Sequence, residues 1–343
     1  MSILQTTRSK LTLSLIYVVC ISSLAFYLLP KKSMASEPSK SAQTETENFK
    51  MRSRVLFGRS YVYLEDIVKY YKLKQKKNAS VFSLTSEDKS LVMTLHSRTV
   101  KMNGIIIDFS FPFIQNKGTY LVSEVDLRKN IDPIFRPSSL KRQNVKTIII
   151  DAGHGGKDPG AIGKNYKEKD VNLQMAIRLK KLLEAKSYEV KMVRSKDVFI
   201  SLKKRNTLKG DVYISLHCNS FSATSVNGIE TFFVAPKNSN ATASSKPYKT
   251  EVAGNKSDFL NTQLAYQVHK QLIEKSKAKD RGLKRKRFVV IANATQPAIL
   301  IELGFLSNLK EEKNLGLASY QEKLASAIAN GIVKYHEAVK EKP

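Results

Sequence analysis

The sequence predicts an α/β protein: a mixed, mostly parallel sheet covered by helices on both faces, preceded by a small β-rich domain. Three observations carry this. From residue 146 onward, short apolar runs alternate with segments of helical periodicity, the pattern of strands joined by crossover helices. Between 50 and 137 the apolar runs are strand-like and broken by turn residues. The 343 residues, 42% of them hydrophobic, suffice for two domains and a full-sized core.

At the N-terminus, Arg8 and Lys10 precede a run from Leu11 to Leu29 that carries no charge. A basic start and an apolar run make residues 1–35 an export signal or a membrane anchor. Ser33-Met34-Ala35 offers a small-x-small cleavage site, whereas an uncleaved 11–29 is just long enough to span a bilayer and would tether the chain. Both readings place the rest of the protein outside the cytoplasm, in the periplasm or cell envelope. Residues 36–49 are mostly Ser, Thr, Glu and Gln and read as a flexible tether.

In 50–137, strands are predicted at Val62–Leu64, Val81–Leu84, Leu91–Leu95, Val100–Met102 and Ile105–Ile107. Asn103-Gly104 between the last two is a type I′ hairpin signal. A weak echo pairs Tyr61 to Ile67 with Tyr120 to Leu127. Pro133, Pro137 and the polar residues after Pro137 mark 138–145 as a linker. In 146–343, strands are predicted at 147–150, 190–193, 212–216, 229–234, 288–291 and 298–301. Helical spacing links Val171, Met175 and Leu179, then Leu260, Leu264 and Val268, then Leu324, Ile328 and Ile332.

Lys and Arg number 58 against 30 acids, giving a formal charge of +28 and an isoelectric point near 9.9. Removing 1–35 leaves +24, so the basic character belongs to the exported part. Such a chain is attracted to polyanions. A nucleic-acid partner is set aside, because the chain carries an export segment and no recognition motif. Two cysteines, Cys20 and Cys218, exclude a disulfide framework and a cysteine-based zinc ribbon. Any metal must then sit mainly on His and carboxylate, and there are only five His.

Three polar residues follow predicted strands: His154 after 148–150, His217 after 212–216 and Glu302 after 298–301. In open α/β sheets the ligand crevice lies beyond the carboxyl ends of strands. Glu168 and Asp170 compete for a fourth place at the start of the next helix. Two His and a Glu form the open ligand set of a catalytic zinc, and a remaining Glu can serve as general base. The Gly153 to Gly160 loop is neither a phosphate loop nor a dinucleotide fingerprint, since Lys157 precedes Asp158 rather than Ser or Thr. Cys218 points to the opposite strand face from His217 and reads as a packed hydrophobe.

Asp151-Ala152-Gly153-His154-Gly155-Gly156-Lys157-Asp158-Pro159-Gly160, Glu168-Lys169-Asp170, Ser215 to Ser220 and Ile301 to Asn308 resemble the four signature blocks of the zinc-dependent N-acetylmuramoyl-L-alanine amidases (amidase-3 family), over about 145–340. The resemblance implies Zn2+ held by His154, Glu168 and His217, with Glu302 as the catalytic glutamate, and so selects Glu168 over Asp170. It implies peptidoglycan as substrate, cut between N-acetylmuramic acid and L-alanine; separately, the chain is expected to be a monomer, and the sequence names no regulator. A zinc carboxypeptidase or endopeptidase on stem peptides, and an inactive wall-binding scaffold, are the alternatives. Some relatives carry an inserted helix that covers the zinc. The corresponding stretch here, Pro236 to Lys256, has the composition of a mobile loop and not of a helix. Residues 50–137 resemble the copper amine oxidase N-terminal-like stalk domain, with a single histidine, His96, and hence no expectation of copper.

Overall fold

The structure, a computed structural model, describes residues 50–340. The export segment, its membrane tether and the whole 36–49 stretch lie outside the described residues. Among the described residues, no helix is long and apolar enough to cross a membrane.

The N-terminal part opens with β1 (Ser53–Leu56) and β2 (Arg59–Tyr63), joined at Phe57 and Gly58, both left-handed. Helix α1 (Leu64–Tyr70) leads into a meander of β3 (Lys74–Asn78), β4 (Val81–Thr85), β5 (Ser90–Thr94), β6 (Thr99–Met102) and β7 (Ile105–Asp108). Asn103 and Gly104 have φ of +46° and +87°, the positive pair a type I′ turn requires. Then come β8 (Ile114–Asn116), β9 (Thr119–Ser123) and the short helices α2 (Glu124–Asp126) and α3 (Asp132–Phe135). The sequence echo has a structural counterpart: β2 and β9 each run into a helix, and they pair antiparallel with Val62 opposite Val122.

The remainder runs β10 (Thr147–Ala152), α4 (Glu168–Glu184), β11 (Glu189–Met192), α5 (Leu202–Arg205), β12 (Val212–Asn219) and β13 (Ile229–Val234). It continues with α6 (Asp258–Ser276), β14 (Asp280–Lys286), α7 (Val289–Ala292), β15 (Ala298–Phe305), α8 (Leu309–Gly316) and α9 (Ala318–Val339). The sheet order is β11-β10-β12-β15-β13-β14, parallel except where β13 meets β15. The mixed, mostly parallel sheet expected from the sequence is present. Helices cover both faces unequally. The long α4, α6 and α9 bury Ile148, Ile150, Ile214 and Ile301 on one side. The single turns α5 and α7 flank the other, where Ile149, Tyr213 and Leu300 pack.

One predicted strand is corrected. Residues 288–291, read as a strand from a run of β-branched and aromatic side chains, form the turn of helix α7. The strand lies just upstream, at Asp280–Lys286, where charged residues hid it. Those charges are used inside the fold. Arg281 and Lys284 reach the buried Glu230 at 2.7 and 2.6 Å, and Arg285 is itself buried.

The N-terminal meander does not hang free. β7 pairs in parallel with β14, Ile107 opposite Leu283, so β7 to β3 extend the same sheet to eleven strands. The stretch 138–145 is likewise packed: Leu140 and Val145 are buried, and the Gln143 side chain donates to the Asp211 carbonyl. Across this seam the Arg285 guanidinium donates to the Val234 carbonyl on one side and to the Lys129 carbonyl and Asn130 Oδ1 on the other. Burial lowers its pKa to about 10, with the nearby Asp258 and Asp126 carboxylates opposing the shift in part. Arg285→Ala leaves these acceptors and carboxylates without their cation. It should cost roughly 3–5 kcal/mol of stability, read as a lower urea midpoint. An unchanged midpoint would show that the seam contributes little.

The stretch from Pro236 also differs from expectation. It leaves β13 at the sheet end opposite to His217 and Glu302, because β13 runs antiparallel to β15. It contains no helix before Ala253–Ser257, and it is tied down by side chains the sequence pattern does not reveal. Arg98 donates to the Ala241 and Ser244 carbonyls and Arg287 to that of Thr250, and Ser239 and Ala241 are buried.

Candidate metal centre

Strands β10, β12 and β15 are adjacent and parallel, so their carboxyl ends share one edge. At that edge His217 stands directly opposite Glu302, and Glu302 opposite Glu230 of β13. The three side chains form a row across three strands, on the face away from the long helices. His154 follows β10 in a left-handed conformation, φ +61°, uncommon for a residue with a side chain. Glu168 opens α4, where its negative charge also suits the helix dipole.

His154, Glu168 and His217 each offer a ligand atom, and these atoms lie within 4.8 Å of one another. His154 Nε2 is 3.2 Å from Glu168 Oε2, and His217 Nδ1 is 2.8 Å from Glu168 Oε1. Asp170 is not part of this cluster. Glu168 is buried, which alone would raise its pKa. Hydrogen bonds and charge from both imidazoles outweigh that and hold it well below the usual carboxylate range. Its oxygens also accept the backbone N–H groups of Ala161 and Cys218. The carboxylate is therefore fixed before any ligand arrives.

The glycine loop permits the close approach. A Cβ on Gly153 would sit 2.3 Å from the His217 ring, and one on Gly160, at φ +66°, 2.5 Å from Glu168 Oε2. Behind the loop, Arg194 donates to the Ala152, Gly153 and Lys169 carbonyls, and Arg205 to the carbonyls of Ala152 and His154. Arg205 also pairs with the fully buried Asp151, which accepts the Tyr213 hydroxyl at 2.8 Å. These buried pairs set the backbone that aims His154.

Sequence reasoning passed over two carboxylates here. Asp158 Oδ2 lies 2.9 Å from His154 Nδ1 and so turns Nε2 toward Glu168, the partner a ligating histidine ordinarily has. The signal was present, an Asp four residues after His154 in a tight glycine turn. Glu230 is neutralised by Arg281 and Lys284, as described above, and its Oε2 accepts from Asn219. Glu302 has no such cation. Its Oε2 is buried and has no hydrogen-bond partner among the described residues. Burial first, then the Glu168 and Glu230 charges, push its pKa well up. An orphaned buried carboxylate beside two imidazoles and a fixed Glu is the environment a divalent cation and its ligands would complete. The donor set, two imidazoles and one carboxylate oxygen, suits zinc. Cys218 is buried with its thiol pKa raised well above normal, which is inert packing and no nucleophile.

The cluster opens on a cleft of about 240 Å³ whose walls include Phe199, Ile200, Leu202, Val289 and Val290.

A profile of the family described as N-acetylmuramoyl-L-alanine amidase matches residues 148–334, more than half the chain. The Bacillus subtilis protein YqiI, described as uncharacterized, is 34% identical over 196 residues, 56% of this chain and 85% of that protein. A putative N-acetylmuramoyl-L-alanine amidase of Buchnera aphidicola is 33% identical over 222 residues, 55% of this chain and 94% of the relative. Among solved structures, the catalytic domain of CwlV, an N-acetylmuramoyl-L-alanine amidase from Bacillus (Paenibacillus) polymyxa, is 35% identical, covering 57% of this chain and 99% of that one with a TM-score of 0.48. The segment that the family profile matches carries His154, Glu168, His217 and Glu302, and the chain belongs to the N-acetylmuramoyl-L-alanine amidase family.

Proposed function

We propose that this chain is an exported, zinc-dependent peptidoglycan amidase that cuts the bond between the lactyl group of N-acetylmuramic acid and L-alanine of the stem peptide. The observation that carries it is the preorganised His154, Glu168 and His217 set with the unpartnered Glu302 beside it. His154, Glu168 and His217 would hold Zn2+. Bound there, Zn2+ supplies a Lewis acid that brings the pKa of a water from 15.7 toward ~7 and polarises the scissile carbonyl.

The remaining work falls to the chain. Asp158 keeps the His154 Nδ1–H engaged, so Nε2 presents its lone pair. Glu302 takes the proton of the attacking water as its oxygen bonds to the carbonyl carbon, and passes it to the alanine nitrogen as the C–N bond breaks. Its raised pKa makes it a stronger base than a free carboxylate. Phe199 and its apolar neighbours shape the cleft that receives the lactyl and sugar moieties and limits bulk water.

Export is supported by Arg8, Lys10 and the apolar 11–29 run, and adhesion to an anionic wall by the net charge. Mass spectrometry of a sacculus digest tests the assignment. The expected products are free stem peptides beginning with L-alanine and glycan strands with free lactyl groups, in a reaction stopped by chelator and restored by Zn2+. Products cut within the stem peptide alone would replace the amidase with a zinc peptidase.

A further inference from the structure

A second depression lies remote from the metal set. It is a groove of about 550 Å³ between the β1–β2 hairpin, helix α2 and the chain leaving β13. That chain departs at the sheet end opposite to Glu302, so an occupant of the groove and a substrate in the cleft would not compete. Arg59, Lys237 and Lys249 line it, and none of the three has a carboxylate partner among the described residues. Its one acidic side chain, Glu124, is already taken by Arg128 at 2.7 Å. Two further depressions, of about 410 and 430 Å³, adjoin it, and Arg128 lines all three. They add Lys50 and Arg136 on one side and Lys141 and Lys256 on the other. Asp132 is their only other acid, and it is held by Arg136 at 2.7 Å.

The shape selects a chain over a surface. Cations set in adjoining concave troughs meet successive charges of a flexible polymer, which a planar array of lipid headgroups cannot follow. The aromatic rings along the track decide between polymers. Binding of single-stranded nucleic acid rests on bases stacking upon free aromatic faces. Here the rings are covered by the protein's own cations: Arg59 lies 4.3 Å over Phe111, Lys129 4.0 Å over Phe259 and Arg136 4.8 Å over Tyr70. Phe57, at the hairpin tip, stands open at 77% exposure, and Phe259, beneath Lys129, is 41% exposed. Arg59, Lys237 and Lys249, with Lys50, Lys141 and Lys256 in the adjoining depressions, are left as guanidinium and ammonium donors suited to phosphate oxygens on a non-aromatic backbone.

We infer that this groove binds a linear polyol-phosphate polymer of the cell wall, holding the enzyme beside its substrate. The inference rests on the wall-directed function proposed above, and its test separates the two. Titration calorimetry of the full chain with poly(glycerol phosphate), length-matched oligothymidylate and phosphatidylglycerol vesicles is the experiment. The polyol phosphate should bind tightest, with an affinity that falls steeply as salt rises. The triple variant Arg59→Gln, Lys237→Gln, Lys249→Gln should weaken that binding by about tenfold or more and flatten the salt dependence. Cleavage of a small soluble muropeptide by the variant should stay at wild-type rate, which also certifies its fold. Should the triple variant misfold, the pair Lys237→Gln, Lys249→Gln, both exposed, carries the same comparison. Equal or tighter binding of the oligonucleotide or vesicles, or polymer affinity indifferent to the substitutions, overturns the groove. Loss of muropeptide cleavage by the unmodified chain would instead overturn the enzymatic reading.

Discussion

Replacing Glu302 with Gln should leave Zn2+ bound at one equivalent while turnover falls by roughly 10²–10⁴-fold, about 3–5 kcal/mol of barrier. Glutamine keeps the volume and one carbonyl oxygen, so the row from His217 to Glu230 across the sheet can persist. What it removes is the proton acceptor. The wild-type Oε2 is buried with no hydrogen-bond partner among the described residues and lies near two other carboxylates, a position that adds nothing to stability and fits a group kept for chemistry. Removing that crowding should, if anything, relieve the folded state. We therefore expect the thermal midpoint to hold or rise as activity collapses, the trade expected of a group kept for chemistry. Metal analysis and muropeptide kinetics on the same preparation decide it. A variant that retained its rate would remove Glu302 from the mechanism, and one that lost its zinc would make it a ligand.

His217→Ala should abolish both tight zinc binding and activity. It deletes one of three ligand side chains and also the imidazole that holds Glu168 Oε1 at 2.8 Å. The carboxylate would keep its bonds from the Ala161 and Cys218 amides, so the fold should survive the change. Ligand-linked stability supplies a readout independent of turnover. At a zinc concentration a thousandfold above Kd, binding to the native state alone adds about 4 kcal/mol, visible as a higher thermal midpoint on adding metal. That increment should be present in the wild type and absent in His217→Ala. A variant that still gained it and still retained metal through dialysis would show that the ion sits elsewhere.

Much of this centre was legible before any coordinates. His154, His217 and Glu302 each follow an apolar run, and polar residues at the carboxyl ends of parallel strands converge because the strands share an edge. Helices α4, α6 and α9 were read from their apolar spacing, and the β6–β7 hairpin from Asn103-Gly104, because those signals are local to the segment that carries them. Residues alone left Glu168 and Asp170 even. Both sit in the first turn of one helix; the family resemblance favours Glu168, and in the fold it is Glu168, not Asp170, that clusters with the two imidazoles.

What the sequence by itself determined is therefore each segment's own preference and the candidates His154, His217 and Glu302 at the ends of apolar runs. Tertiary structure decided what those segments meet. Strand β14 escaped notice because strand patterning assumes that charges face water, whereas its Arg281 and Lys284 neutralise Glu230 and its Arg285 is buried across the seam. The run Phe288 to Ile291 coils instead of extending because the neighbouring edges are already paired and its apolar side chains are needed against Tyr213 and Leu300. Period and propensity describe the faces of a strand, but the partner at its edge is chosen by backbone hydrogen bonds, which carry no side-chain signature. For that reason the union of the N-terminal meander with the catalytic sheet, through Ile107 and Leu283, could be found only in the folded chain.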